Sequence, residues 1–370
     1  MKQVETKSQN LKDKIIINLN ENIFLIISTF FSIFLGLVVS GLLMLLMDHN
    51  PIEAYKLIIE FAFIDSYNIA NIFAKATPLI LTALAFGFAF QAKLFNIGAQ
   101  GQFYIGSIAA VFISLKFGFL PSFFVISFSL LFSMLAGGLW ASLIGYFKAK
   151  FNANEFLVSM MSTYVAIAVM DYLVRGPLQE SKGEYPQTNV IADSAKIPAV
   201  ISRTQFHYGF FISIFVVLLI YILLWHTRLG FQIRAVGQNR DAAKYAGFSE
   251  KKIFVIVFMI CGALAALAGF MQVNGINHMV IQGFEPNIGA TGIGVAILGN
   301  ANPFGIVLAA LLFSTMEVGG LMLTQTSTLP SSIIGITQGL VVIFVVISYF
   351  INHKFKVIKA KKKLIKGDEN

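Results

Sequence analysis

The sequence predicts an all-α integral membrane protein, a bundle of about ten transmembrane helices built on an inverted internal repeat. Three observations lead there. Of 370 residues, 57% are hydrophobic and 12% charged, whereas a soluble domain carries roughly 25% charged residues. Apolar stretches near twenty residues, the length that crosses a hydrocarbon core, recur along the whole chain. Two short Gly- and amide-bearing copies, NIGAQG at 96–101 and NIGATG at 287–292, interrupt that pattern at matching places.

The first span is read from Ile23 to Met47, after a polar, basic tail at 1–22; it is too long for a secretory core and lacks a small-residue cleavage site. Further spans follow at Asn71 to Phe90, Ile97 to Leu115, Pro121 to Phe147, Phe156 to Val174 and Tyr208 to His226. The last four run from Ile253 to Val273, Ile288 to Leu298, Phe304 to Leu323 and Ser331 to Ile351. The membrane body is thus 23–351, and 352–370 forms a basic tail. Residues 51 to 68 have helical apolar spacing suited to lying along a surface. The polar segment 175–207 is long enough to form a cap, either a tether or a docking loop.

Lys and Arg concentrate in the N-terminal tail, around Lys148 and Lys150, between Arg228 and Lys252, and from Lys354 to Lys366. By the positive-inside rule both termini are cytoplasmic, with 227–252 an inner loop. This distribution accounts for the net charge of +9 without nucleic acid. The basic tail anchors topology or meets anionic membrane lipid. Cys261 lies in an apolar run and is read as a packing residue. The five His lie near helix ends or loops, where exposure is usual, and form no metal set with the carboxylates.

Inside a bilayer each amide needs a partner in protein, in a wet cavity or in a passing solute. Asn96, Gln100 and Gln102, with Gly98 between them, are therefore candidates for a solute path, and Asn287 opens the second copy. The competing reading is that Gly98, Gly101, Gly289, Gly292 and Gly294 only let helices approach. Glu317 stands in the middle of an apolar run, where a carboxylate costs about 2.5 to 3.5 kcal/mol unless paired or wet. It serves solute contact, proton coupling, or a hydrogen bond to a nearby Ser, Thr or Gln. Asp171, near an outer helix end, reads as interfacial and structural. In the inner loop, Phe231, Ala235, Ala242, Ala243, Tyr245 and Ala246 give an apolar component among charges, a helix that a soluble partner could grip.

The stretches ATPLILTALAFGFAFQAKLFNIGAQGQFYIG (76–106), RAVGQNRDAAKYAGFSEKK (234–252) and GATGIGVAILGNANPFG (289–305) resemble the permease subunits of ABC importers of the branched-chain amino acid, ribose and nucleoside group. AYKLIIEFAFIDSYNIANIFAKATPL looks most like the nucleoside permeases. The resemblance implies a type II importer bundle paired with a second permease, two ABC ATPase subunits and an external solute-binding lipoprotein in a bacterial cytoplasmic membrane. It also implies that Arg234, Gly237, Arg240, Ala242, Ala243, Tyr245, Ala246 and Gly247 belong to the loop that couples to the ATPase. Gln100 stands where many relatives carry Glu. No G-x-x-x-x-G-K-[ST] run is present, so ATP would be used by the partner and the chain itself needs no cofactor and is not an enzyme. The alternatives are a ribose-type permease and a proton-coupled carrier using Glu317.

Overall fold

The computed structural model describes residues 27–181, 183–326, 330 and 332–367, and every regular element among them is helical. The tail at 1–22, the start of the first span and residues 368–370 lie outside the described residues. The helices are α1 (Ile27–Leu46), α2 (Pro51–Phe63), α3 (Ser66–Gln91), α4 (Ala99–Lys116), α5 (Ser122–Phe151) and α6 (Glu155–Arg175). After the segment 176–208 come α7 (Gly209–His226), α8 (Arg228–Gln238), α9 (Arg240–Tyr245) and α10 (Glu250–Gln272). The set ends with α11 (Ile288–Leu298), α12 (Pro303–Thr326) and α13 (Ser332–Gly367).

Eight of these, α1, α3, α5, α6, α7, α10, α12 and α13, are long and apolar enough to cross a membrane. The two other expected spans are present as α4 and α11, the helices that begin with the NIGA copies. Eleven residues make α11 too short, and Gln100 and Gln102 dilute the start of α4. Residues 51 to 68 do not form one surface helix. The side chain of Asp65 accepts from the Asn68 N–H at 2.7 Å and starts α3 there, which is why this span begins before Asn71 and Lys75 lies further from its start than expected.

The chain divides into two units, Met1–Lys56 with Ser327–Asn370, and Leu57–Thr326. In the first, α1 packs on α13 through small groups. A Cβ on Gly36 would meet the Val341 backbone at 2.7 Å, and the Ser40 and Thr337 hydroxyls share a hydrogen bond. Close backbone approach of this kind is how helices associate where lipid removes the hydrophobic drive.

In the second unit α3 and α10 form the centre. Their most apolar windows are 89% and 72% buried, against 22–28% for α5, α6 and α7, which present apolar surface outward. Gly137 on α5 and Gly262 on α10 face each other so closely that a Cβ on Gly137 would reach the Gly262 carbonyl at 2.6 Å. Cys261 is fully buried beside them. The segment 176–208 folds back on the end of α10. Thr188 N–H donates to the Val280 carbonyl at 2.9 Å, Ile191 N–H to His278 at 2.9 Å and Ile197 N–H to Asn274 at 2.8 Å. The Asn274 amide then donates to Ser114 at 2.8 Å and to the Ala195 carbonyl at 2.9 Å.

One histidine departs from the expectation of exposure. His207 is 1% exposed because glycines at 209 and 275 leave room for its ring. Its Nδ1 accepts the Gly209 N–H at 3.1 Å. Burial pushes its pKa down to about 4, with His278 acting in the same direction.

Candidate functional site: two helix starts and a charged cluster

The two NIGA copies, 191 residues apart in the sequence, touch. The Gln100 side chain accepts from the Gly289 N–H at 2.7 Å and donates to the Glu285 carbonyl at 2.9 Å. Gly289 is required by this approach, since a Cβ there would sit 2.7 Å from the Gln100 backbone nitrogen. Register fixes the directions. Gly106 opposes Ala266 and Asn274 reaches Ser114, so α4 runs parallel to α10. Gly292 opposes Thr82 and Gln91 donates to the Ala301 carbonyl, so α11 runs parallel to α3. Gln91 ends α3 against Gly237 of α8, and Arg240 lies 5.2 Å over Phe254 near the start of α10, so α3 and α10 are opposed. Hence α4 and α11 point away from each other and meet at their N-termini, where both helix dipoles are positive. This is the broken-helix geometry that transporters use to meet solute.

Beside the junction lies a charged cluster absent from the sequence reading. Lys75 Nζ is 2.6 Å from a Glu317 carboxylate oxygen, their side chains 27% and 36% exposed. By helical rise, Lys75 is roughly 14 Å along α3 and Glu317 roughly 21 Å along α12, so both sit mid-helix. Glu317 therefore finds a cation where a Ser, Thr or Gln partner was expected. Glu285 lies within electrostatic reach of both and its carboxylate accepts from Gln272 at 3.2 Å. Pro78, one turn beyond Lys75, removes an N–H from α3 and leaves a carbonyl without its usual helical donor. Two buried acceptors near this region, Asn71 Oδ1 and Asp171 Oδ1, have no hydrogen-bond partner among the described residues. Asp171, near the end of α6, lies within electrostatic reach of Tyr104.

The remaining candidates separate. Asn96 and Gln102 donate to each other at 2.9 Å in both directions, with both residues 0% exposed, so their amides are spent on a mutual clasp. Gly98 sits under that clasp, where a Cβ would meet Gln102 Nε2 at 3.1 Å. Asn287 is exposed at the start of α11 and makes no side-chain cap. In the loop 227–252, Asn239 caps α9 by accepting the Ala242 N–H at 3.0 Å, and Gly247 closes it at φ +83°. Tyr245 projects with 95% of its surface exposed, while Ala243 is 3% exposed and faces inward. The Arg234 Nε is buried without a partner among the described residues.

The sequence matches the family described as "Branched-chain amino acid transport system / permease component" over residues 68–346. The chain belongs to this family. It is 32% identical over 338 residues to a guanosine ABC transporter permease of Bacillus subtilis, covering 90% of this chain and 95% of that one. Against a glucose ABC transporter permease of Haloferax volcanii it is 31% identical over 325 residues, 85% of each. A nucleoside ABC transporter permease of Lactococcus lactis is 29% identical over 347 residues, 91% of this chain and 94% of that one. No solved structure matches. Family and spans together make the chain a multi-pass permease subunit of the cell membrane, not an enzyme, working with an ATPase partner. The proton-coupled carrier is set aside on that ground.

Proposed function

We propose that the chain forms half of the translocation path for a nucleoside, with solute passing the junction of α4 and α11 and the Lys75–Glu317–Glu285 cluster. The observation that carries this reading is the partly exposed ion pair at mid-helix, because lipid cannot solvate it and a wet path can. The cluster offers an ammonium donor, two carboxylate acceptors and the exposed Asn287 to a solute with many hydroxyl and ring N–H groups. Phe284, next to Glu285 and packed 5.5 Å from both Phe103 and Tyr104, adds an aromatic wall. Permeases of guanosine and of nucleosides among the relatives support the same solute class. Asn96 and Gln102 then act as the clasp that holds the start of α4, and Gln100 as the link between the two helix starts.

In the same reading, 234–252 receives the ATPase through α9, with Tyr245 the protruding contact, and the second permease and a solute-binding lipoprotein complete the importer. Both termini face the cytoplasm. The test is uptake of labelled guanosine in cells with and without the gene, competed by unlabelled nucleosides, ribose or glucose. Loss on deletion and on ATP depletion, with competition by nucleosides, is the expected result. The glucose permease among the relatives gives the rival outcome: competition by sugar alone would move the solute class to hexoses or pentoses.

A further inference from the structure

At the end of the second unit that carries the inner loop, the last turn of α5 and the first turn of α10 enclose a groove of about 490 Å³. It is lined by Tyr146, Ala149, Lys150, Lys251, Lys252, Val255 and Ile256. We propose that this groove holds one anionic membrane phospholipid, its phosphate among the three lysines and its first acyl carbons along Ala149, Val255 and Ile256.

Four observations converge on that occupant. The wall is apolar and continuous with α10, whose Glu250–Asn277 stretch is a candidate membrane span. The rim is cationic. Lys148 is neutralised by Glu155 at 2.9 Å, but among the described residues no carboxylate pairs with Lys150, Lys251 or Lys252. Lys150 is held at the rim by Tyr146, donating to its hydroxyl at 2.8 Å and lying 5.3 Å over its ring. Finally, Ser249 occupies the N-cap of α10 without making a side-chain cap bond, and Glu250 is the acidic residue of that first turn, so the rim sets Lys150, Lys251 and Lys252 against a single carboxylate at the positive end of the dipole. An anion alone would satisfy the rim and a hydrocarbon alone the wall. A phospholipid with a net negative headgroup satisfies both, whereas an acidic peptide or a nucleotide leaves the wall bare. Basic pockets at the ends of membrane helices bind such headgroups through about a five-fold gain per lysine near the surface.

The test uses the full chain reconstituted from vesicles of phosphatidylcholine and phosphatidylglycerol, then extracted in neutral detergent, with retained lipid measured by mass spectrometry. The wild type should retain phosphatidylglycerol over phosphatidylcholine at least ~10-fold above the vesicle ratio. K150Q/K251Q/K252Q should fall to the vesicle ratio, and Ala149→Trp, which fills the wall without touching charge, should also lower retention. Lys93→Gln, a lysine outside the groove, should leave the ratio unchanged. Retention at the wild-type ratio in the triple variant overturns the proposal. So does loss of ATPase association in that variant with lipid retention intact, which would assign the lysines to a protein surface.

Discussion

At the residue scale, the decisive groups are those whose partners lie far away in sequence. Lys75 and Glu317 are 242 residues apart, and removing either leaves the other charged in a region lipid cannot solvate. Because both are about a third exposed, the loss is smaller than for a sealed pair. Lys75→Met or Glu317→Met is expected to reduce guanosine uptake at least ~10-fold, and the exchanged pair K75E/E317K should recover part of it. Full uptake in both single variants would remove the pair from the path. His207 supplies a pH dependence. Its folded pKa near 4 lies below the ordinary value of 6.5, so between those values the unfolded chain binds a proton that the folded chain excludes. Stability should therefore fall as pH drops from about 6.5 toward 4, by up to about 3 kcal/mol from this group. A thermal midpoint that declines over this window in the wild type and less in His207→Gln checks it; equal declines would place the titrating group elsewhere.

At the element scale, the chain announces its helices through length and hydropathy, and the spans expected from apolar runs recur with shifted ends. Asp65 shows why ends shift: a single cap extended α3 by five residues relative to Asn71 and so set Lys75 more than two turns from the helix start. The NIGA copies were legible as a pair because Gly and amides are rare in such surroundings. Their contact was not, since nothing local in 96–101 specifies that Gln100 will reach Gly289. Asn96 and Gln102 illustrate the opposite limit. Read singly they are free amides in an apolar run, and only the turn into α4 brings them face to face. The junction makes a sharp expectation for Gly289→Ala. Its Cβ would press on backbone rather than on a flexible tip, so the first turns of α4 and α11 must separate at a cost of about 1–3 kcal/mol. Gly335→Ala, where no atom lies within 4 Å, is the matched control. A lowered thermal midpoint with reduced uptake in the first and neither in the second is the outcome that supports the junction.

At the scale of the whole molecule, the α4–α11 junction and the loop 227–252 are joined through one short relay. Gln91 ends α3 against Gly237 of α8, and Arg240 at the start of α9 lies over Phe254 of α10. A push on α9 thus reaches both central helices, the two that bracket the helix junction. The family resemblance assigns both Ala243 and Tyr245 to the loop that would couple to the ATPase. The structure separates these roles: Ala243 is buried and Tyr245 is 95% exposed. Ala243→Arg would force a long cation into a packed position and disturb α9 itself, so its effect could not be assigned to a partner. Tyr245→Arg changes only an outward surface. It is expected to lower co-purification of the ATPase and ATP-driven uptake together, by about 1–3 kcal/mol if Tyr245 is an anchoring aromatic, while the thermal midpoint of the permease stays within experimental scatter. Unchanged ATPase recovery in that variant would move the coupling contact off α9, toward the cavity of about 480 Å³ lined by Trp225, Arg228, Phe231 and Arg234. Charge at that cavity, rather than an aromatic tip, would then transmit the stroke to α3 and α10.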